Sequence, residues 1–167
     1  MDTSKRITRD ILKILEQDAR TTPAQIAKLT GISEEEAAAE IKRLEEERII
    51  IRYKTLIDWE KAGKDVIYAF IDVKVSPSRG VGFDDVAERI ARFPEVTSVY
   101  LVSGEYDLRV VVAGSSMQEL AFFVSEKLAT IDRVQSTASH FVLKRYKVDS
   151  ELLSGRGVED KRLAIQP

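Results

Sequence analysis

The sequence predicts an α+β fold in two parts, a three-helix head followed by a β-α-β-β-α-β half. Two observations carry that reading. Two helix-start signals sit one short turn apart between Thr22 and Ile51. Beyond Gly63 the apolar residues stop recurring at helical spacing and begin to alternate, with two amphipathic helices interleaved.

The head opens with a helix starting near Thr3 or Ser4, because Ile7, Ile11, Ile14 and Leu15 fall on one face. Thr22-Pro23-Ala24-Gln25 then supplies an N-cap hydroxyl, a proline preset for the first helical position and a glutamine at the third. Ile26, Ala27 and Leu29 form the inward face of this second helix. Ser33-Glu34-Glu35-Glu36 repeats the logic with a serine cap and a glutamate reaching back. The Thr30-Gly31-Ile32 turn between the two is too short to do more than hinge them, the layout of a helix-turn-helix. In such motifs the second helix is shaped to enter a DNA major groove. Ala37, Ile41 and Leu44 give the third helix its buried stripe. Ile49-Ile50-Ile51 is β-type and precedes Arg52, Tyr53 and Lys54, so a short strand pair is expected, a wing near Arg52 to Thr55.

Asp58 to Gly63 reads as a short capped turn, with aspartate at its start and glycine past its end. The expected organisation is therefore a winged helix-turn-helix over residues 1–58, a linker over 59–65, a second domain over 66–149 and a tail over 150–167. In the second domain Val66 to Val75 alternates as a strand with one core face, carried by Ile67, Ala69, Ile71, Val73 and Val75. Phe83 to Phe93 is an amphipathic helix stopped by Pro94. Val96 to Ser103 and Tyr106 to Ala113 are strands joined by a tight turn at Gly104-Glu105. Ser116 to Ala129 is a second helix with Leu120, Phe123, Val124 and Leu128 inward, and Val134 to Tyr146 is a long last strand. This order is the ferredoxin-like split arrangement, with both helices on one sheet face. The other face is expected to carry Tyr68, Phe70, Tyr100, Val102 and Val111, apolar enough that a second subunit should cover it.

Composition narrows the function. A hydrophobic share of 44% and a charged share of 32% fit a globular protein. No window approaches the roughly 18 apolar residues of a membrane span, and the polar start from Asp2 to Arg6 is unlike a secretory signal, so a cytoplasmic location is expected. Without cysteine there are neither disulfides nor thiolate zinc sites. The single histidine, His140, lies in a strand-like run, where a packed or half-exposed role is the ordinary one. Ser78-Arg79-Gly80-Val81-Gly82 lacks the lysine and spacing of a phosphate cradle and reads as a loop. No catalytic residue, metal or cofactor is expected, and no enzyme.

Charge complicates DNA binding. Residues 1–60 hold eleven basic and thirteen acidic side chains, a net of −2, and affinity for DNA comes largely from neutralised phosphates. Glu34 to Glu36 suit the cap and dipole of a helix start. Alternatively, Glu35 or Glu36 accepts a hydrogen bond from a cytosine amino group. Lys42 and Arg43 on the third helix, Arg52 and Lys54 on the wing, and Lys28 on the second helix are the expected phosphate contacts. With Ser33 and Ala39 they complete the expected DNA-facing set.

The whole pattern resembles the Lrp/AsnC (feast/famine) transcription regulators. The resemblance runs from about Ile7 to Lys147. It is carried by Arg20, Gly31-Ile32-Ser33, Ile41 to Glu45, Ile49-Ile50, Phe93-Pro94-Glu95-Val96, the Gly104-Glu105-Tyr106-Asp107-Leu108 turn, Thr137 and Val142-Leu143. It implies a regulator that binds double-stranded DNA, dimerises through its C-terminal sheets and assembles further into tetramers or octamers. It also implies a small effector, usually an amino acid, bound where dimers touch. By that resemblance the Gly104, Glu105 and Tyr106 backbone holds a carboxylate, Asp107 meets an ammonium group, and Thr137 and Ser139 of a neighbouring dimer help close the pocket. Two rival readings stay open. One is a ligand-sensing scaffold with a helix-turn-helix that no longer binds DNA. The other is an enzyme resembling the sirohaem decarboxylases, for which the chain offers only Arg109, Arg145 and His140.

Overall fold

The computed structural model describes residues 3–77 and 82–153. The chain divides into two compact units, one ending at Leu56 and the other beginning at Ile57. The loop expected over Ser78 to Val81 lies outside the described residues, as does all of the expected tail beyond Leu153.

The first unit is three helices, α1 (Thr3–Gln17), α2 (Pro23–Thr30) and α3 (Glu34–Glu46), around a core of Ile11, Leu15, Ile26, Ala37 and Leu44. Both capping boxes form. The Gln25 amide donates to Thr22 Oγ1 at 3.3 Å and the Thr22 amide to Gln25 Oε1 at 2.8 Å. At α3 the Glu36 amide donates to Ser33 Oγ at 3.1 Å and the Ser33 amide to Glu36 Oε2 at 2.8 Å. Gly31 closes α2 in the left-handed region, at φ 76°, where a side chain would strain the turn.

Two expectations fail in this unit. Leu29 does not face the core but is 66% exposed. The packed side of α2 is centred between Ile26 and Ala27, and Leu29 lies about 110° around the helix from that centre. The wing strands are also not formed, since residues 51–58 are irregular. The β-branched run instead finishes α3. The Ile49 and Ile50 amides both donate to the Leu44 carbonyl, at 2.9 and 3.0 Å, and Ile50 packs onto the core. Arg48 makes this reversal possible by taking φ 56°.

The second unit begins with the expected capped turn. The Lys61 amide donates to Asp58 Oδ1, the Lys64 amide to the Trp59 carbonyl, and Gly63 takes φ 75°. The elements that follow are β1 (Ile67–Val75), α4 (Asp84–Ala91), β2 (Val96–Leu101), β3 (Leu108–Gly114), α5 (Met117–Phe122), a π-helical turn (Phe123–Leu128), β4 (Val134–Phe141) and a short hairpin, β5 (Lys147–Val148) with β6 (Glu151–Leu152). The main sheet is antiparallel throughout, in the order β2-β3-β1-β4, as a split β-α-β arrangement requires. Ala69, Ile71, Val73 and Val75 of β1 and Leu108, Val110 and Val112 of β3 are buried beneath Val86, Ile90, Leu120, Phe123 and Leu128. Phe93 meets Phe123 edge-on, with centroids 5.5 Å apart.

The π-helical turn has a packing cause. Phe123 and Leu128 are both buried, yet five residues on an α-helix separate side chains by about 140°. An i→i+5 turn, marked by the Ala129 amide donating to the Val124 carbonyl at 2.8 Å, brings both to the sheet. The last strand is shorter than expected and ends at Phe141, which pairs with Ala69; one further bond follows, from the Val142 amide to the Tyr68 carbonyl at 2.9 Å.

The uncovered face differs from the expected apolar surface. Tyr68, Phe70, Tyr100 and Val111 are on it, but Val102 lies past the end of β2. One cross-strand row reads Tyr100, Arg109, Asp72, Ala138, and the next reads Ser98, Val111, Phe70, His140. Asp72, only 6% exposed, accepts from Arg109 Nε at 2.7 Å and Nη2 at 2.9 Å, and His140 Nε2 lies 3.5 Å from it. The Arg109 bonds hold the Asp72 carboxyl below the ordinary carboxylate range, against the burial that raises it. Arg145 covers the Tyr68 ring at 4.2 Å. An ionic cluster therefore occupies the middle of this face.

Candidate functional site

Each unit presents one candidate surface. In the first it is the outward side of α3. The core takes Ala37, Ile41 and Leu44, and the opposite ridge consists of Glu35, Ala39, Lys42 and Glu46. Of the expected DNA-facing residues, the structure brings Glu35, Ala39 and Lys42 together on that ridge. Ser33 and Glu36 are used by the capping box. Arg43 lies to one side and is held within the protein, its Nε and Nη2 donating to Glu40 at 2.9 and 2.7 Å and its Nη1 to Glu47 at 2.7 Å. Glu40 also accepts from the Thr8 hydroxyl of α1 at 2.5 Å. With Arg43 and then Thr8 bonding its charged form, the Glu40 pKa falls to about 2.

Lys42 keeps a longer contact with Glu46, 3.8 Å, between two well-exposed side chains. Lys28 is exposed near the end of α2. Arg52 and Lys54, both exposed, line a cleft of about 510 Å³ with Arg9 and Lys13 of α1 and the apolar Leu12, Ile49 and Ile51. Sequence reasoning missed the grouping of Arg9 and Lys13 with Arg52 and Lys54. No local pattern joins residues that far apart; only the reversal after α3 does. Tyr53, at the rim, donates to Glu45 at 2.8 Å, and burial followed by that bond lifts its pKa to about 12.

In the second unit the candidate surface is the turn between β2 and β3. Gly104 takes φ 142°, a conformation that favours glycine. The Val102 amide donates to the Asp107 carbonyl at 2.9 Å and the Asp107 amide to the Val73 carbonyl at 3.1 Å, pinning the turn at both ends. Among the described residues, the amides of Gly104, Glu105 and Tyr106 find no partner in the chain. Lys74 reaches over the turn, donating to the Glu105 carbonyl at 2.8 Å and lying 3.4 Å from Asp107. Asp107 accepts from the Val75 amide at 2.9 Å. Its carboxylate thus terminates β1 and already faces an ammonium group, that of Lys74. Thr137 and Ser139 pair with Val73 and Ile71 on the far side of β1, about two strand spacings or roughly 10 Å from the turn. Within one chain they do not join it.

A helix-turn-helix joined to a β-α-β-β-α-β unit with such a turn defines a class, the two-part regulator that couples a DNA-binding head to a ligand-binding domain. Residues 5–51 match the family described as winged helix-turn-helix DNA-binding, and residues 68–152 that described as the Lrp/AsnC ligand binding domain. The chain belongs to the Lrp/AsnC family of transcriptional regulators. It is 52% identical over 159 residues, 95% of each chain, to an uncharacterised HTH-type transcriptional regulator, YugG, of Bacillus subtilis. It is 33% identical to the HTH-type transcriptional regulator FL11 of Pyrococcus horikoshii over 87% of this chain and 93% of that one. Among solved structures it superposes on AsnC of Escherichia coli with a TM-score of 0.67 and 27% identity, covering 89% of this chain and 95% of that one. It also superposes on a transcriptional regulator of Neisseria meningitidis solved as a complex with L-Met, with a TM-score of 0.70, 26% identity and coverage of 89% and 93%. These relatives are named as regulators, not enzymes. No helix among the described residues is long and apolar enough to cross a membrane.

Proposed function

We propose that the protein binds specific double-stranded DNA sequences through α3, and that a small effector, an amino acid, binds at the Gly104 turn between dimers and changes assembly or DNA affinity. The observation that carries the effector site is the run of three unpartnered amides at Gly104, Glu105 and Tyr106 beside the Lys74 ammonium. Unpartnered amides in a turn that also carries a cation suit a carboxylate. The L-Met complex of the Neisseria regulator supports an amino acid as the ligand class. Asp107, with lone pairs left after the Val75 bond, receives the ligand's ammonium group. Thr137 and Ser139, remote from the turn in their own chain, serve the turn of a neighbouring dimer. The uncovered sheet faces pair to make the dimer, and the dimers build tetramers or octamers. A ligand bound only where two dimers touch biases that contact by its differential affinity. Lys28, Arg52 and Lys54 contact phosphates. With Arg43 held by two glutamates and residues 1–60 carrying a net charge of −2, one head is a weak reader, so assembly supplies avidity. Such a regulator works in the cytoplasm, with its DNA.

The test is fluorescence anisotropy of labelled DNA from upstream of the protein's own gene against a scrambled control, across salt concentrations, with and without an amino-acid pool. Specific binding that weakens with salt and shifts with amino acids is the expected result. An intact oligomer that ignores DNA at low salt refutes the regulator reading and leaves the scaffold.

A further inference from the structure

The geometry points to a base preference written on the α3 ridge: a half-site in which Glu35 reads a cytosine and Lys42 reads a guanine three base steps away, with Ala39 against a thymine between them. This rests on the DNA-binding reading above and names the sequence that reading leaves open.

The assignment follows by accounting for every polar side chain on α3. Glu36 is spent on the Ser33 cap, Glu40 on Thr8 and Arg43, and Glu45 on Tyr53. Arg43 is spent on Glu40 and Glu47, and Glu47 on Arg43. Among the described residues Glu35 has no partner, and Lys42 has only its long contact with Glu46. Glu34, also without a partner among the described residues, lies on the flank of the helix about 60° from Ala37, and Glu46 stays on Lys42. Along the ridge from Glu35 to Lys42 there remain one carboxylate, one ammonium and, between them, the methyl of Ala39.

Each has a distinct preference in the major groove. A carboxylate accepts only, and the cytosine N4 amino group is a donor there; an ammonium donates only, and guanine offers O6 and N7; an alanine methyl suits the thymine C5 methyl. Glu35 and Lys42 are seven residues apart, about 10.5 Å along the helix. At about 3.4 Å per base pair that span is three base steps. Ala39, the small residue in the middle, lets the helix backbone approach the base edges. Glu35 also carries discrimination of the repulsive kind, since a carboxylate facing a base edge that offers only acceptors is left unpaired.

The experiment is selection of binding sites from randomised duplexes by the full-length protein and three variants, Glu35→Ala, Glu35→Gln and Lys42→Ala. Among the described residues Glu35 has no hydrogen-bond partner, so its substitution costs only the small dipole interaction of a first-turn carboxylate and leaves the fold in place. The wild type is expected to enrich half-sites with a cytosine and a guanine three steps apart. Glu35→Ala should flatten the cytosine position alone, a loss of about five- to tenfold in discrimination there. Glu35→Gln should move that same position to adenine, since a glutamine amide pairs with N6 and N7. Lys42→Ala should flatten the guanine position. Variants that select the same sites as wild type overturn the assignment while leaving DNA binding standing. A Glu35→Ala variant that binds every sequence more tightly to the same degree also overturns it, because Glu35 then only repels phosphates. A wild type that enriches no sequence overturns both this assignment and sequence-specific binding itself.

Discussion

Glu40→Gln tests the ion-pair ladder on α3, because its two consequences have opposite signs. Glu40 accepts from Thr8 and twice from Arg43, tying α3 to α1 and holding the guanidinium against the helix. A glutamine of the same shape keeps one acceptor but loses the charge. Arg43 is half-exposed, so the pair itself sits near the surface value for ion pairs; adding the weakened Thr8 bond, the loss is about 1–2 kcal/mol. Hydrogen exchange followed by mass spectrometry should show α3 amides opening about 5–30-fold more often. Exchange is the right readout because the single tryptophan, Trp59, belongs to the other unit and does not report on this one. DNA affinity should rise at the same time, since Arg43 gains freedom to reach a phosphate, and the slope of log K against log salt should steepen by about 0.9. The effect also depends on pH. The Glu40 pKa is depressed in the fold, so its stabilisation is complete above about pH 4.5 and is lost as pH falls toward 2. The difference between wild type and variant should close over that window. Unchanged exchange together with an unchanged salt slope refutes the ladder. Faster exchange with no change in slope shows that Arg43 does not face DNA.

Other perturbations separate the remaining claims. Gly114→Ala places a Cβ 2.8 Å from Leu120 Cδ2 and 3.1 Å from its Cγ, where the fully buried leucine has little room; thermal unfolding should reveal a loss of about 1–3 kcal/mol. Asp72→Asn should destabilise the second unit by a similar amount, because it strips the charged acceptor from Arg109. The Asp72 pKa is lowered in the fold, so this contribution is present above about pH 4 and disappears in stronger acid, which urea titrations at pH 7 and pH 3 can compare. Gly104→Asp should abolish the amino-acid response in calorimetry while the dimer stays folded. Asp107→Ala should do the same and also loosen the end of β1, visible as faster exchange of the Val75 amide.

Local chemistry made much of this architecture legible. Both capping boxes, the Gly31 hinge and the alternation of β1 were readable because each is decided by residues within a few positions of one another. The misreadings share a cause of the opposite kind. Ile49-Ile50-Ile51 has strand propensity, yet the Ile49 and Ile50 amides bond to the Leu44 carbonyl and Ile50 packs on the core, so no wing strand formed there. Asp72 stood in an alternating apolar run and was passed over, because Arg109 and His140, the partners that make it tolerable, come from other strands. The π-helical turn followed from the need to bury both Phe123 and Leu128, a demand set by the sheet opposite. For the candidate site, Glu35 and Lys42 could be named from sequence. Glu36 was readable as part of the Ser33 cap, but that Arg43 and Glu40 were already bonded to each other required the structure.

The Asp72–Arg109–His140 cluster has a consequence for the company this chain keeps. A surface laid on this sheet face must accommodate a half-exposed guanidinium and a nearly buried carboxylate. In the dimer proposed above, a copy of the same chain would bring a matching row of polar groups under two-fold symmetry. A sheet of similar shape but purely apolar character strips water from those charges and returns nothing, a penalty that grows with every other contact it makes. In the proposed dimer such a cluster would discriminate among subunits of one architecture by penalising a mismatched partner, a different quantity from the strength with which matching copies associate.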